Sequence, residues 1–156
     1  MVNKKGLYIL YFLSAFFLLF SSLGCQKKKD EGYYFEKGGE AFQKGNYDEA
    51  IELYQKGLEI NPKSAVGYNL LGMAYRFKFN QTGNKDWKDK EIEAFKKSIE
   101  LDPNFVAALV NLGATLYYQG DKKEAARYFK KAIEIYPDHP EKLQLEKMIK
   151  EEEEVE

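Results

Sequence analysis

Large apolar side chains recur three and four residues apart in three stretches of this chain: Ile51, Tyr54 and Leu58; Ile92, Phe95 and Ile99; Ala126, Phe129 and Ile133. That spacing lines one face of a helix, so it predicts amphipathic helices over Tyr47–Ile60, Lys88–Leu101 and Lys122–Ile135. A proline stands two residues beyond each predicted end, at Pro62, Pro103 and Pro137. Its nitrogen cannot donate and its ring drives the preceding residue out of the helical region, so the helices stop there. A second helical pattern precedes each of these. Glu31–Lys44 carries Tyr34, Gly38, Ala41 and Phe42; Ala65–Lys78 carries Tyr68, Leu71, Gly72 and Tyr75; Val106–Tyr118 carries Leu109, Leu112, Gly113 and Leu116. Gly45-Asn46 and Gly120-Asp121 break the first helix of a pair and start the second.

The pattern is periodic. Pro103 and Pro137 stand 34 residues apart, and Pro62 and Pro103 stand 41 apart, a difference of seven. The extra residues fall around Phe79–Trp87, where Asn80-Gln81-Thr82-Gly83-Asn84 has the composition of a loop. The expected units are residues 31–64, 65–105 (with this inter-helix insertion) and 106–139. Residues 140–156 follow as a capping helix over Glu141–Lys150, with Leu143, Leu145, Met148 and Ile149 on its apolar side, and an acidic tail from Glu151. Trp87, the only tryptophan, either contacts a partner or packs over the lengthened helix; the general burial of Trp favours packing.

Laid over one another, the units show Leu109, Leu112-Gly113, Leu116, Gly120-Asp121, Ala125, Phe129, Ala132 and Pro137 in the third; Tyr34, Gly38, Ala41, Gly45-Asn46, Ala50, Tyr54, Gly57 and Pro62 in the first; and Tyr68, Leu71-Gly72, Tyr75, Phe95, Ser98 and Pro103 in the second. This arrangement resembles the tetratricopeptide repeat family over about Glu31 to Pro137. Lys37 in place of a Leu, and Glu91 in place of an Ala, depart from the family pattern. The resemblance implies an all-α fold, a right-handed α-solenoid of three helix-turn-helix units plus a C-terminal capping helix. One such unit cannot bury its own apolar face, so stacking makes the core.

The resemblance also implies that the first helix of each unit lines a concave groove for a peptide or protein partner. By position the groove side holds Phe35, Gly39 and Phe42; then Val66, Asn69, Met73, Arg76 and Phe77; then Ala107, Val110, Ala114, Tyr117 and Tyr118. Aromatic rings and Met offer large, adaptable contact area, and Arg76 is suited to a partner's carboxylate or carbonyl. The expected partner-binding residues are Phe35, Phe42, Asn69, Met73, Arg76, Val110 and Tyr117. For Phe42, Phe77 and Tyr118, packing within the stack is the alternative. Some family members clamp a peptide's C-terminal carboxylate with Lys, Asn and Arg. The corresponding places here are Phe35, Gly39, Leu70, Ala107 and Asn111, and only Asn111 is polar, so that mode is not expected.

The first 25 residues form a separate object. Lys4 and Lys5 precede an uncharged, mostly apolar run from Leu7 to Leu23, which as an ideal helix spans roughly 25 Å. A charged start, an apolar run and then small residues is the order of a secretory signal. The run closes on Ser22-Leu23-Gly24-Cys25, holding the only cysteine of the chain. This resembles the lipobox of bacterial lipoproteins, with Ser22 where that motif usually has Leu. The resemblance implies cleavage before Cys25 and its lipidation; the alternative is an uncleaved anchor helix. Residues 26–30 are a polar tether. Either anchor implies a lipid-facing location at the cell envelope, exposed to the periplasm or exterior. The outer membrane is preferred, because Gln26 stands where an inner-membrane retention signal has Asp.

Composition narrows the chemistry. The 156 residues carry 24 Lys plus Arg, 25 Asp plus Glu, one His and one Cys, for a net charge of −1. Without residues 1–25 the net charge is −3, so no field for nucleic acid exists. A single Cys and a single His exclude disulfide frameworks and multi-ligand zinc sites. His139 sits between Pro137 and Pro140 without a nucleophile framework, and Gly38-Gly39 lacks the lysine of a phosphate loop. No catalytic residue, cofactor, metal or small-molecule substrate is therefore expected. The sequence points to a membrane-anchored adapter or scaffold binding a peptide or protein partner. The alternatives are an accessory subunit of an envelope assembly or secretion machine acting through homo-oligomerisation, and an enzyme-associated domain.

Overall fold

The computed structural model describes residues 29–153. The expectations for residues 1–28, including lipidation of Cys25, and for residues 154–156 lie outside the described residues. Within them the chain forms seven helices and no strand: α1 Glu31–Gln43, α2 Tyr47–Ile60, α3 Ala65–Thr82, α4 Lys85–Leu101, α5 Val106–Gln119, α6 Lys122–Ile135 and α7 Lys142–Glu153. They pair as α1/α2, α3/α4 and α5/α6 and stack in chain order, with α7 laid on α6, as an α-solenoid.

Helix ends follow local chemistry. The Asp30 carboxylate accepts from the Tyr33 N–H at 2.9 Å, Ser64 Oγ from the Gly67 N–H at 3.0 Å and Asn84 Oδ1 from the Asp86 N–H at 3.0 Å. Each satisfies a backbone donor that the first turn leaves without a partner. The first helix of every pair ends at a glycine with positive φ: Gly45 at 77°, Gly83 at 68° and Gly120 at 97°. Helices α2, α4 and α6 each end two residues before their proline.

The seven-residue insertion is not the predicted loop. Helix α3 continues through Thr82, and Gly83-Asn84 alone makes the turn into α4. With 18 residues α3 is four longer than the 14-residue α5, and α4 with 17 is three longer than the 14-residue α6. Asn80-Gln81-Thr82 has turn-like composition, but the preceding helix carries it. The Thr82 hydroxyl donates to the Lys78 carbonyl at 2.9 Å, and Gly83 supplies the left-handed exit. Trp87 packs on α3, stacked on Tyr75 with centroids 5.7 Å apart, and Lys90 Nζ lies 4.4 Å from its ring centre.

Each pair is held by a ring seated on a glycine. A Cβ added at Gly38 would lie 2.5 Å from Tyr54 Cε1, one at Gly72 2.6 Å from Phe95 Cε1, and one at Gly113 2.6 Å from Phe129 Cε1. All three rings are essentially buried, each contributing about 1.5–3 kcal/mol by leaving water. At the far end, Leu145, Met148 and Ile149 of α7 are buried as expected, but Leu143 is 83% exposed. Leu143 and Leu145 are two residues apart and so cannot share a helix face. Helix α7 also runs on through Glu153, three residues past the expected helix end at Lys150, so it takes in the start of the acidic tail.

Gly38 and its neighbour Gly39 separate the packing requirement from helix propensity. A Cβ at Gly39 meets only Tyr54 Oη, at 4.0 Å. Gly38→Ala should destabilise the full chain by about 1–3 kcal/mol through overpacking, and Gly39→Ala should stabilise it by up to about 1 kcal/mol through propensity. Urea denaturation of both variants checks the opposite signs.

Candidate functional site

The first helices α1, α3 and α5 bring equivalent positions side by side: Phe35, Asn69 and Val110 in one row, Phe42, Arg76 and Tyr117 in another. Between the rows lies a third formed by Gly39, Met73 and Ala114. Met73, Val110, Ala114 and Tyr117 are half-buried and pack at the edge of the core cluster around Phe95, Leu112 and Phe129. They are among the apolar residues that the surface offers at its middle and far end, with the more exposed Val66, Phe77 and Tyr118.

The expected binding residues divide by environment. Phe35 is half-buried, its ring pressed against the backbone at Gly57 and Gly67, so it wedges the first two units together. Phe42 meets Tyr47 edge-on at 5.5 Å and Phe77 at 5.0 Å, and Tyr47 and Phe77 lie 5.4 Å apart. Packing within the stack thus accounts for Phe42 and for much of Phe77. Tyr118 remains 77% exposed. The Tyr117 hydroxyl donates to the Glu151 carboxylate of α7, and that acceptor raises the phenol pKa above its ordinary value.

Asn69 is only 6% exposed and lies beneath the surface. Its Oδ1 accepts from Asn111 Nδ2 at 3.0 Å. Arg76 continues this polar chain. Its Nη1 donates to Asn111 Oδ1 at 3.1 Å, and its Nη2 donates to the Asn111 carbonyl at 2.7 Å and to Thr115 Oγ1 at 2.8 Å. Its Nε donates to Glu91 Oε1 at 2.8 Å, and its guanidinium lies 4.9 Å from the Phe95 ring centre. The Arg76 side chain is therefore not the open carboxylate receptor expected from its position, because a carboxylate of the same chain already occupies it.

Glu91 is the residue that sequence reasoning registered only as a departure. Its place is taken by Ala50 in the first unit and Ala125 in the third, all three fully buried. A carboxylate in a core position is tolerated only when paired and bonded. Thr115 Oγ1 donates to Glu91 Oε1 at 2.5 Å, and Lys88 Nζ lies 2.9 Å from Oε2 as an ion pair without hydrogen-bond geometry. Arg76 correspondingly stands where Phe42 and Tyr117 stand in the outer units. An apolar pair has become an ion pair, and its bonds tie α3 and α4 to α5.

Beside this network, α3, α4 and α5 enclose a cleft of about 620 Å³, lined by Arg76, Phe79, Lys85, Lys88, Ala114 and Tyr118 among others. No group of three His, Cys, Asp or Glu close enough to hold a metal ion occurs among the described residues. No described helix is long and apolar enough to cross a membrane. His139 accepts the Glu141 N–H at Nδ1, 3.1 Å away, and packs edge-on to Tyr136 at 5.7 Å.

Comparisons with known proteins bear on this geometry. Residues 38–76 match the family profile "TPR repeat", and residues 83–105 and 106–139 match profiles for the tetratricopeptide repeat. The chain is 31% identical over 137 residues to the photosystem I assembly protein Ycf3 of Acaryochloris marina, covering 76% of this chain and 78% of that protein. It is 32% identical over 103 residues to the small glutamine-rich tetratricopeptide repeat-containing protein 2 of Mycosarcoma maydis, covering 66% of this chain but 27% of that protein. Among solved structures, the first TPR of Spaghetti (RPAP3) bound to the HSP90 peptide SRMEEVD superposes with a TM-score of 0.67. That match has 24% identity and covers 80% of this chain and 95% of the other.

The ion pair makes a direct test of the site's energetics. Glu91→Ala leaves Arg76 and Lys88 without their carboxylate and should cost about 2–4 kcal/mol, somewhat below the range for a fully buried pair because both cations keep some water contact. Adding Arg76→Tyr recreates the Tyr117/Ala125 combination of the third unit and should recover at least half of that loss. A double-mutant cycle by urea denaturation measures both; a negligible cost for Glu91→Ala would show that the pair is solvated.

Proposed function

The chain belongs to the tetratricopeptide repeat family, and from that premise we propose that it is a membrane-anchored adapter that holds a peptide or protein partner on its concave face. The observation that carries this reading is the set of half-buried apolar side chains on adjacent first helices, Met73 of α3 with Val110, Ala114 and Tyr117 of α5. A face of Met, aromatic and branched side chains can follow the contour of a partner by changing rotamers. What surrounds that face is structural: Glu91, Arg76, Thr115 and Asn111 hydrogen-bond to one another, and Lys88 pairs with the second Glu91 oxygen. They are not arranged as a nucleophile with its base, so the role is binding and not catalysis. A relative named as a photosystem I assembly protein and a structural neighbour bound to an HSP90 peptide both support the reading.

The anchor is lipid on Cys25. Two or three acyl chains hold a protein at a bilayer where one is marginal, and the lipoprotein motif supplies that number. The polar stretch Gln26–Asp30 then spaces the first repeat from the lipid surface. The destination is the bacterial envelope, with the outer membrane preferred.

Two measurements test these parts separately. A photo-crosslinking residue at position 73 should form a discrete adduct with one partner in cells, and the same residue at position 96, an exposed position of α4, should not. Equal adducts from both positions would sink the groove reading. Cys25→Ala should remove incorporation of labelled palmitate and release the chain from the lipid-anchored fraction; retention with unaltered labelling would sink the anchor.

A further inference from the structure

The three units place equivalent residues at their two interfaces, and the interfaces are filled differently. Between the first and second units the space at the turn end of the helices is closed by three rings, Phe42 from α1, Tyr47 from α2 and Phe77 from α3, with centroids 5.0–5.5 Å apart. The corresponding residues between the second and third units are Arg76, Lys88 and Tyr118. All three line the open cleft of about 620 Å³. Phe77 is 39% exposed within its cluster, whereas Tyr118 is 77% exposed and meets the ring of Tyr117 edge-on, 5.5 Å away.

The lengthened hairpin builds the outer wall of this cleft. Phe79 lies on the extra turn of α3 and Lys85 on the extra turn of α4, and neither stretch has a counterpart in the other two units. Phe79 presents a ring over which Lys88 Nζ sits at 4.5 Å. Lys88 and Arg76 share the buried Glu91 carboxylate. Lys85 has no ion-pair partner among the described residues, and Asp89 is the one acid among the described residues of the lining. Lining and floor together therefore carry three cations, Arg76, Lys85 and Lys88, against two carboxylates. The excess positive charge stands beside rings in a chain that is acidic elsewhere.

Resting on the adapter reading, we propose that this cleft receives an acidic peptide segment of the partner that presents an aromatic side chain. The ring takes the place that Phe42 and Tyr47 occupy at the first interface, packing on Tyr118 and Phe79. A neighbouring carboxylate meets Lys85 and the exposed edge of Lys88. Neither half of this recognition suffices alone: an exposed ion pair contributes little, and an apolar side chain would leave Lys85 unmatched. The pairing of ring and acid selects the partner segment, while the concave face supplies the rest of the contact area.

The test uses the full chain in detergent solution and a fluorescein-labelled Gly-Ser-Asp-Phe-Glu-Ser-Gly peptide, read by fluorescence anisotropy. Binding should weaken about three- to tenfold with Tyr118→Ala and about fivefold or more with Lys85→Glu. Both positions are exposed, so neither variant threatens the fold. Replacing the two acids of the peptide by their amides, or its ring by Ala, should weaken binding similarly, and added salt should weaken the acidic peptide more than the amide one. Equal binding of the acidic and amide peptides, or no binding up to about 1 mM, overturns the proposal. Loss on Met73→Glu with no effect of Tyr118→Ala or Lys85→Glu also overturns it, while leaving the adapter reading intact. Self-association of the chain that Lys85→Glu abolishes would assign the cleft to a second copy and overturn it as well.

Discussion

The contact on which every unit depends is a ring laid against a helix backbone where the side chain is missing. Tyr54 on Gly38, Phe95 on Gly72 and Phe129 on Gly113 repeat the same geometry three times, with space that a single methyl group would overfill. Two helices approach closely only where one of them lacks bulk. A glycine in a helix interior costs about 1 kcal/mol in propensity, so its repetition makes sense only if the ring above it returns more through burial and dispersion. Each contact joins the two helices of one unit. The next layer is set by what those units turn outward, as when Phe35 reaches from α1 to the backbone of Gly57 and Gly67.

This arrangement explains how the middle unit absorbs seven additional residues without losing register. Gly38 and Tyr54 are 16 residues apart, as are Gly113 and Phe129, but Gly72 and Phe95 are 23 apart with the same ring-on-backbone contact. Growth occurs at the turn end of both helices, about one turn on each. Everything below the added turns keeps its face, because lengthening the tip of a hairpin changes no residue's position relative to the axis beneath it. The tip itself has no neighbour of equal length, and so it stands as a wall beside the third unit.

Much of this was legible in the sequence, and the failures have physical causes. The periodic apolar spacing located all the second helices, and the prolines marked their ends, because burial and backbone sterics act over a few residues. Asn80-Gln81-Thr82-Gly83-Asn84 read as a loop because amide and hydroxyl side chains compete locally for backbone groups. The structure uses only Gly83 and Asn84 that way: a helix already running from Ala65 carries the preceding three residues, and Gly83 alone needs the left-handed conformation. Leu143 and Leu145 belong to one short apolar cluster but to opposite faces of α7, which apolar composition alone does not separate. Phe35, Asn69 and Val110, and likewise Phe42, Arg76 and Tyr117, hold equivalent places in their units, but that equivalence carries no information about exposure. Whether a side chain faces a partner or a neighbouring unit depends on the angle between units, which no local pattern encodes.

Glu91 shows what a departure from a repeat can reveal. An acid at a position that is Ala in both sister units signals either an open site or a buried charge with a dedicated partner, and Arg76, standing where the sister units carry rings, is the second departure in the same unit. Two changes of opposite charge on facing helices of one unit imply each other, since either alone would strand a charge in the core. The structure joins them, and Thr115 and Asn111 extend the link into the third unit. Such a network contributes little net stability over an apolar pair, but its bonds are directional and satisfied in one arrangement only. Apolar stacking tolerates sliding of one unit over the next. The bonds from Arg76 to two groups of Asn111 and to Thr115 do not, so they fix the angle at which the second and third units meet, and with it the width of the cleft between them.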